Sequence, residues 1–377
     1  MRSTGISCFA YPGLVKALGL APRRPKIYDT AQMLAVPDSD VLDALNCDVA
    51  FVETDVCTNA FEEPERWKPY DFGGRLSALV QQPELFRTSP QGEIEQGTSL
   101  RMPLHSYVFD AEHGGEPLDL NGELRREDPE KLRRELEREV FTRERVRSIG
   151  RYCARARSST DRALLFSGLS MGFFFRGGMA NWSMLCLTDP AYVREVHEVL
   201  TEHALRQVRA LVPEIAHSVD ILMLNMDDLG TQTGLIMPPR LFGELYVPYY
   251  RAVNDKIHRI APRMKTFLHC CGAIYDILEE IIASGFDILN PVQWSAGRRS
   301  YREWKDRCRG RIALWGGGVD TQHILPWKSP EQLRGVVREV VAYLKQDSGY
   351  VFCAIHNLLA EITPEKILAI YQEAASA

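Results

Sequence analysis

His269 and Cys271 stand two residues apart in Lys265-Thr266-Phe267-Leu268-His269-Cys270-Cys271-Gly272. On a β-strand alternate side chains share a face, so this imidazole and this thiol project to one place while Cys270 turns away into packing. A further thiol, Cys353, ends another strand-like run, Gly349-Tyr350-Val351-Phe352-Cys353. One imidazole and two thiolates suit zinc and leave a fourth coordination position for a substrate. The competing reading is structural, because free cysteine is among the most buried side chains and a strand-end histidine is often a satisfied core residue.

Other strand ends are also polar. Asp227 and Asp228, just before Leu229 and Gly230, could supply a general base or fix a substrate hydroxyl, or could be ordinary turn residues. Gly316, Gly317 and Gly318 could let the backbone approach a cofactor or cradle an anion. They could equally form a tight strand exit, and they do not match a phosphate-loop pattern. Asp55 follows one strand candidate, Gln293 another, and His356 lies just beyond Cys353.

The elements that must position these groups are short β-branched or aromatic runs alternating with longer amphipathic stretches. Strands are predicted at 48–53, 102–109, 163–166, 221–225, 265–270, 286–289, 312–315 and 350–353. Eight such runs fit a (β/α)8 barrel, whose chemistry gathers at the C-terminal ends of its strands. Helical spacing marks 189–211, 239–260, 273–284, 330–345 and 364–375, with prolines near several starts and Pro248 expected to kink the second. The stretch 117–157, dense in Glu and Arg, reads as a solvated helix laced with ion pairs. No repeat or linker divides the chain, so one barrel is expected over 1–377, with an N-terminal extension at 1–45 and an insertion at 56–140.

Composition narrows the function classes. The chain has 377 residues, 45% of them hydrophobic, enough for a large core. A net charge of -5 gives no basic field for nucleic acid or an anionic membrane. No apolar run approaches the ~18 residues of a membrane span, and no signal peptide is read near Met1. Nine cysteines without regular spacing favour a reducing, cytoplasmic setting in which a Cys cluster binds metal or does chemistry.

The motifs DDLGTQTG (227–234), HCCGAIY (269–275), FDILNPVQ (286–293) and WGGGVDTQ (315–322) resemble the uroporphyrinogen decarboxylase superfamily. That superfamily includes the methylcobamide:coenzyme M methyltransferases and is related to cobalamin-independent methionine synthase. The resemblance implies a single (β/α)8 TIM barrel. In the methyltransferase branch a His-x-Cys pair and a late Cys hold zinc, which activates a thiol; on that pattern His269, Cys271 and Cys353 are the ligands. Gln293 falls where methionine-synthase-like sites place a Glu, and a neutral amide is the poorer zinc ligand. In the decarboxylase branch no metal is needed: an Asp after the first strand, here Asp55, binds pyrrole nitrogens, and His356 resembles that branch's late histidine. The Arg-rich segment that grips substrate carboxylates there is missing, since Arg23, Arg24 and Lys26 occur in another context, which removes the charge-assisted contacts an octacarboxylate needs.

The resemblance therefore implies zinc-dependent methyl transfer between a corrinoid (cobalamin) protein and a small thiol, methoxy or methylamine compound. His269, Cys271 and Cys353, with Gln293 as fourth ligand or neighbour, would hold the metal. Asp55, Asp227, Asp228 and His356 would position substrate and move protons. The corrinoid is expected on a separate protein docking transiently. The alternatives are a metal-independent decarboxylase and a non-catalytic zinc- or ligand-binding barrel.

Overall fold

The computed structural model describes residues 4–52, 67–97, 100–110, 119, 122–139, 141–173 and 176–377. Seven short strands form one parallel sheet: β1 (Val49–Phe51), β2 (Ala163–Phe166), β3 (Ile221–Met226), β4 (Lys265–His269), β5 (Ile288–Asn290), β6 (Ala313–Trp315) and β7 (Tyr350–Val351). They lie side by side in chain order. The helices between them cover the outer face, which makes this the wall of a (β/α)8-type barrel.

Strand alternation divides the apolar residues between two cores. Leu165, Ile221, Met223, Phe267, Ile288, Trp315 and Cys353 cluster inside the curled sheet. Leu164, Phe166, Leu222, Leu268, Cys270, Leu289 and Leu314 join the larger core beneath the helices. Cys270 thus faces away from the interior, as its position between His269 and Cys271 requires.

The strand expected at 102–109 does not join the barrel. Only Leu100–Met102 is extended, and it pairs antiparallel with Ile94–Gln96 in a separate small sheet. Among the described residues the parallel ladder therefore has seven strands, and its edges β1 and β7 are not paired to each other. The predicted helix 239–260 is two helices, Pro239–Leu245 and Val247–Ile260, broken at Tyr246 because Pro248 cannot continue the hydrogen-bond ladder. The charged stretch 117–157 holds two helices, Pro129–Arg138 and Arg143–Ser158. Each buries a stripe against its neighbours, Leu132 in the first and Val146, Ile149 and Cys153 in the second. Three of the remaining helices lie close to their expected places, as Pro190–Ile215, Pro330–Leu344 and Pro364–Ser376, whereas the helix expected at 273–284 is confined to Leu278–Ala283, preceded by a 3-10 turn at Tyr275–Ile277.

Residues preceding β1 form a three-stranded antiparallel sheet of Ile6–Ser7, Ile27–Asp29 and Leu34–Ala35. It is tied to the far end of the chain where Ser7 N donates to Leu358 O at 2.8 Å and Gly5 N to Asn357 Oδ1 at 2.7 Å.

The N-terminal entry of the strands is held by Asp287. Its Oδ2 accepts from Thr266 N at 2.9 Å and lies 2.7 Å from His258 Nε2, while Oδ1 accepts from Lys265 Nζ at 3.1 Å. Burial alone would raise this carboxyl, but the bonds from His258, Thr266 and Lys265 together outweigh it and hold Asp287 below the ordinary carboxylate value. A carboxyl depressed in the folded state contributes stability above its unfolded pKa of about 3.9, and that contribution is lost as pH falls through the lower folded value. Asp287→Asn is expected to be less stable than wild type at neutral pH, with the gap closing as pH falls through the depressed folded value of Asp287. Urea unfolding at neutral and at acid pH checks this; a gap that persists in acid would refute the electrostatic account.

Candidate metal centre

His269 ends β4 and Asn290 ends β5, and the two are paired in register across the ladder. His269 Nδ1 lies 2.7 Å from Asn290 Oδ1, and Asn290 Nδ2 donates to Trp315 O at 3.0 Å. The second bond fixes the amide so that its oxygen faces the imidazole. His269 Nδ1 must then carry the proton, leaving Nε2 with a free lone pair. That nitrogen lies 3.3 Å from Cys271 Sγ, close to the ~3.5 Å separating N and S ligands on a tetrahedral zinc.

Asp228 completes the group. One ligand atom from each of Asp228, His269 and Cys271 lies within 4.8 Å of the others, and all three residues are half-buried, so the cluster is reachable from the barrel mouth. Asp228 is brought there by an irregularity in β3. The pairing of β3 with β4 slips by one residue between Met223 and Asn225. Simple alternation from Ile221 and Met223 would turn Asp227 inward, but the slip exchanges the two carboxylates. Asp227 instead is buried and accepts from the Tyr250 hydroxyl on the helix side, whereas Asp228 Oδ1 accepts from Cys271 N at 2.8 Å.

Burial, reinforced by the charge of Asp228, pushes the Cys271 thiol well up. A thiol so raised keeps its proton beside the imidazole lone pair, and a dication is the species that would draw that proton off. The donor set, one nitrogen, one sulfur and one carboxylate oxygen, fits zinc.

The loop after β4 is pinned by its backbone. Gly272 N donates to Gln293 Oε1 at 2.7 Å and Ala273 N to Thr231 O at 2.8 Å. Gly272 has φ of +95°, and a Cβ there would fall 2.1 Å from Gly230 O. Only glycine fits this contact between the exits of β3 and β4.

The other expected residues lie as follows. Cys353 is outside the cluster: its buried thiol donates to Thr4 Oγ1 at 3.4 Å. Gln293 is buried, and the oxygen a metal would need is the one that accepts from Gly272 N. Gly316, Gly317 and Gly318 face their own chain, since added Cβ atoms would fall 3.2 Å from Cys353 Sγ, 2.9 Å from Val292 and 2.3 Å from Phe352. Gly316 N and Gly318 N donate to Val351 O and Cys353 O, so two of the three N–H groups are used in holding the strand exits together. His356 is half-buried after β7, and Asp55 lies outside the described residues. Asn290, a polar residue at the end of β5, partners His269 through a strand register that sequence spacing does not supply.

A family model for uroporphyrinogen decarboxylase (URO-D) matches residues 174–376, more than half of the chain and all of the candidate centre. No curated protein matches it in sequence. Among solved structures, a methyltransferase from Methanosarcina mazei is 13% identical, with 98% of this chain and 99% of that chain covered at a TM-score of 0.48. An endo-1,4-beta-mannanase from Rhizomucor miehei is also 13% identical, with coverages of 60% and 75% and a TM-score of 0.36. The xylanase XynB from Paenibacillus barcinonensis is 11% identical, with coverages of 61% and 82% and a TM-score of 0.34. No helix among the described residues is long and apolar enough to cross a membrane.

Proposed function

This chain belongs to the uroporphyrinogen decarboxylase family, and from that premise we propose that it is a zinc-dependent methyltransferase, working at the C-terminal end of a single barrel that spans 1–377. The observation that carries the reading is the convergence of Asp228, His269 and Cys271 on one point. The sequence resemblance to the corrinoid-dependent branch supplies the reaction class, with a methyl group passing between a corrinoid protein and a small thiol, methoxy or methylamine compound.

In this reading His269 lends Nε2, held in the right tautomer by Asn290. Cys271 would bind as thiolate, and Asp228, which accepts from the Cys271 N–H, would lend an oxygen. Zinc bound there would supply the charge that makes a substrate thiol into a thiolate or polarises the atom from which a methyl group departs. Cys353 is left out of the proposed ligand set because its thiol is engaged with Thr4. Asp55 and His356 remain the groups proposed to position substrate and move protons. Asp227, paired with Tyr250, holds the strand end instead.

The test is to measure metal content after purification without chelator, then to follow cobalt absorbance while enzyme, cob(I)alamin or methylcobalamin, and thiol, methoxyaromatic or methylamine substrates are mixed. About one zinc per chain is expected, with a spectral change that disappears on chelation. Protein that refuses added zinc, or that consumes uroporphyrinogen with chelator-resistant release of carbon dioxide, would replace this reading with the decarboxylase one.

A further inference from the structure

The ion pairs expected along 117–157 are found on the helix Pro129–Arg138, where Lys131 pairs with Glu135 and Arg133 with Glu130. They do not continue along the next helix, Arg143–Ser158, whose six arginines and one glutamate give it a charge of +5. The remainder of a chain of net charge -5 therefore carries -10.

Four of these arginines, Arg143, Arg147, Arg151 and Arg155, follow one another at every fourth position, and all four are exposed. Val146, Ile149, Gly150 and Cys153 meanwhile hold the helix against the core. Residues four apart are neighbours on a helix, so the guanidinium groups form one row with a spacing of about 6 Å along the axis. Like charges at this spacing weaken a helix, where glutamate alternating with arginine would strengthen it. Arg157 on the same helix pairs with Asp220 at 3.0 Å. Among the described residues no carboxylate pairs with any of the four, and Arg155 alone has a ring contact, over Tyr152 at 5.7 Å.

We propose that this arginine row is a docking surface for an acidic protein partner, one that presents carboxylates about 6 Å apart, as a helix with Glu or Asp at every fourth position does. Guanidinium suits that partner because its planar fork takes a carboxylate by two hydrogen bonds, and the helix carries no lysine. Two other anionic surfaces fit less well. A nucleic acid would run past the ~24 Å of this 16-residue helix onto a remainder of net negative charge. A membrane takes up apolar side chains, and none of the exposed large hydrophobic residues lies on this helix. The helix leads into β2, so a partner on the row lies along the outer wall of the barrel and leaves the metal centre open. The inference does not rest on the proposed reaction.

Three labelled probes, followed by fluorescence anisotropy at about 50 mM salt, separate the possibilities. They are a stapled Ala-rich helix with Glu at every fourth position, the same residues with the glutamates scrambled, and a single-stranded oligonucleotide of equal charge. The matched helix should saturate and bind about tenfold tighter than the scrambled one, with affinity falling as salt is raised. Arg147→Gln combined with Arg151→Gln should bring it down to the scrambled level. Arg147→Lys combined with Arg151→Lys, which retains charge but loses the forks, should fall between. Arg24→Gln combined with Arg263→Gln, a pair of exposed arginines away from this helix, removes the same charge and should leave affinity unchanged. All of these side chains are exposed, so circular dichroism of every variant should match wild type. A matched helix that fails to saturate, that binds no better than its scrambled form, or that binds the Arg147→Gln and Arg151→Gln protein unchanged would overturn the proposal. Tighter binding of the oligonucleotide, or of phosphatidylserine vesicles in a sedimentation assay, would overturn it in favour of a nucleic acid or a membrane.

Discussion

Cys271→Ser and His269→Ala are expected to lower zinc affinity more than about a hundredfold each, because each removes one of three convergent ligands. Asn290→Ala, which leaves every ligand in place but frees the imidazole tautomer, should cost an intermediate 10–100-fold, roughly the range for a partner that orients a ligand. Cys270→Ser and Cys353→Ser should stay within about tenfold of wild type, since one thiol faces the helix-side core near Leu229 N and the other Thr4. Competition titration against a chromophoric chelator measures all five. Affinity should also climb with pH, because burial and Asp228 hold the Cys271 thiol protonated and that proton must leave before sulfur binds metal. If Cys270→Ser is the damaging change, the strand register assigned to β4 is off by one. If Cys353→Ser is, the late cysteine joins the ligand set.

Gly272→Ala is expected to be the most damaging small substitution in the protein. The added methyl carbon would sit 2.1 Å from Gly230 O and 2.3 Å from the Gly230 carbonyl carbon, at a φ of +95°. Backbone cannot step aside as a flexible side chain can, so the loss of folding stability should exceed about 3 kcal/mol, with the metal centre disordered before the rest. Gly335→Ala is the control: it lies inside the helix Pro330–Leu344 with no atom within 4 Å of its added Cβ, and should be neutral or slightly stabilising. Urea denaturation of both variants gives the comparison. A Gly272→Ala protein within about 1 kcal/mol of wild type would mean that the two strand exits are not in contact.

The barrel was legible because its signal is local. Each of β1 to β7 is a short apolar or β-branched run bounded by polar or glycine-rich ends, and seven of eight expected strands are present. The eighth, at 102–109, had the composition of a strand but no means of announcing its partner, and it pairs antiparallel outside the barrel. His269 and Cys271 were legible for the same reason, since strand alternation alone brings them together. Asp228 and Asp227 were legible as a pair but not apart, because their facing depends on the slip in β3 near Leu224. Cys353 shows what spacing does not carry: its type and its place at a strand end suggest a ligand, while the contact its thiol makes, with Thr4, is to a residue 349 positions away in the chain, and no spacing rule connects them.

The slip in β3 gives neighbouring carboxylates two unrelated sets of dependants. Position 227 answers to Tyr250 in the outer helix layer and position 228 to His269 and Cys271 in the mouth. Among descendants of a common ancestor, a lineage that abandoned the metal would be free to lose Asp228 together with those two ligands while retaining Asp227 with Tyr250. A lineage that remodelled the helix Val247–Ile260 would show the reverse. Two identical letters side by side would then drift independently, each covarying with residues on a different face of the sheet.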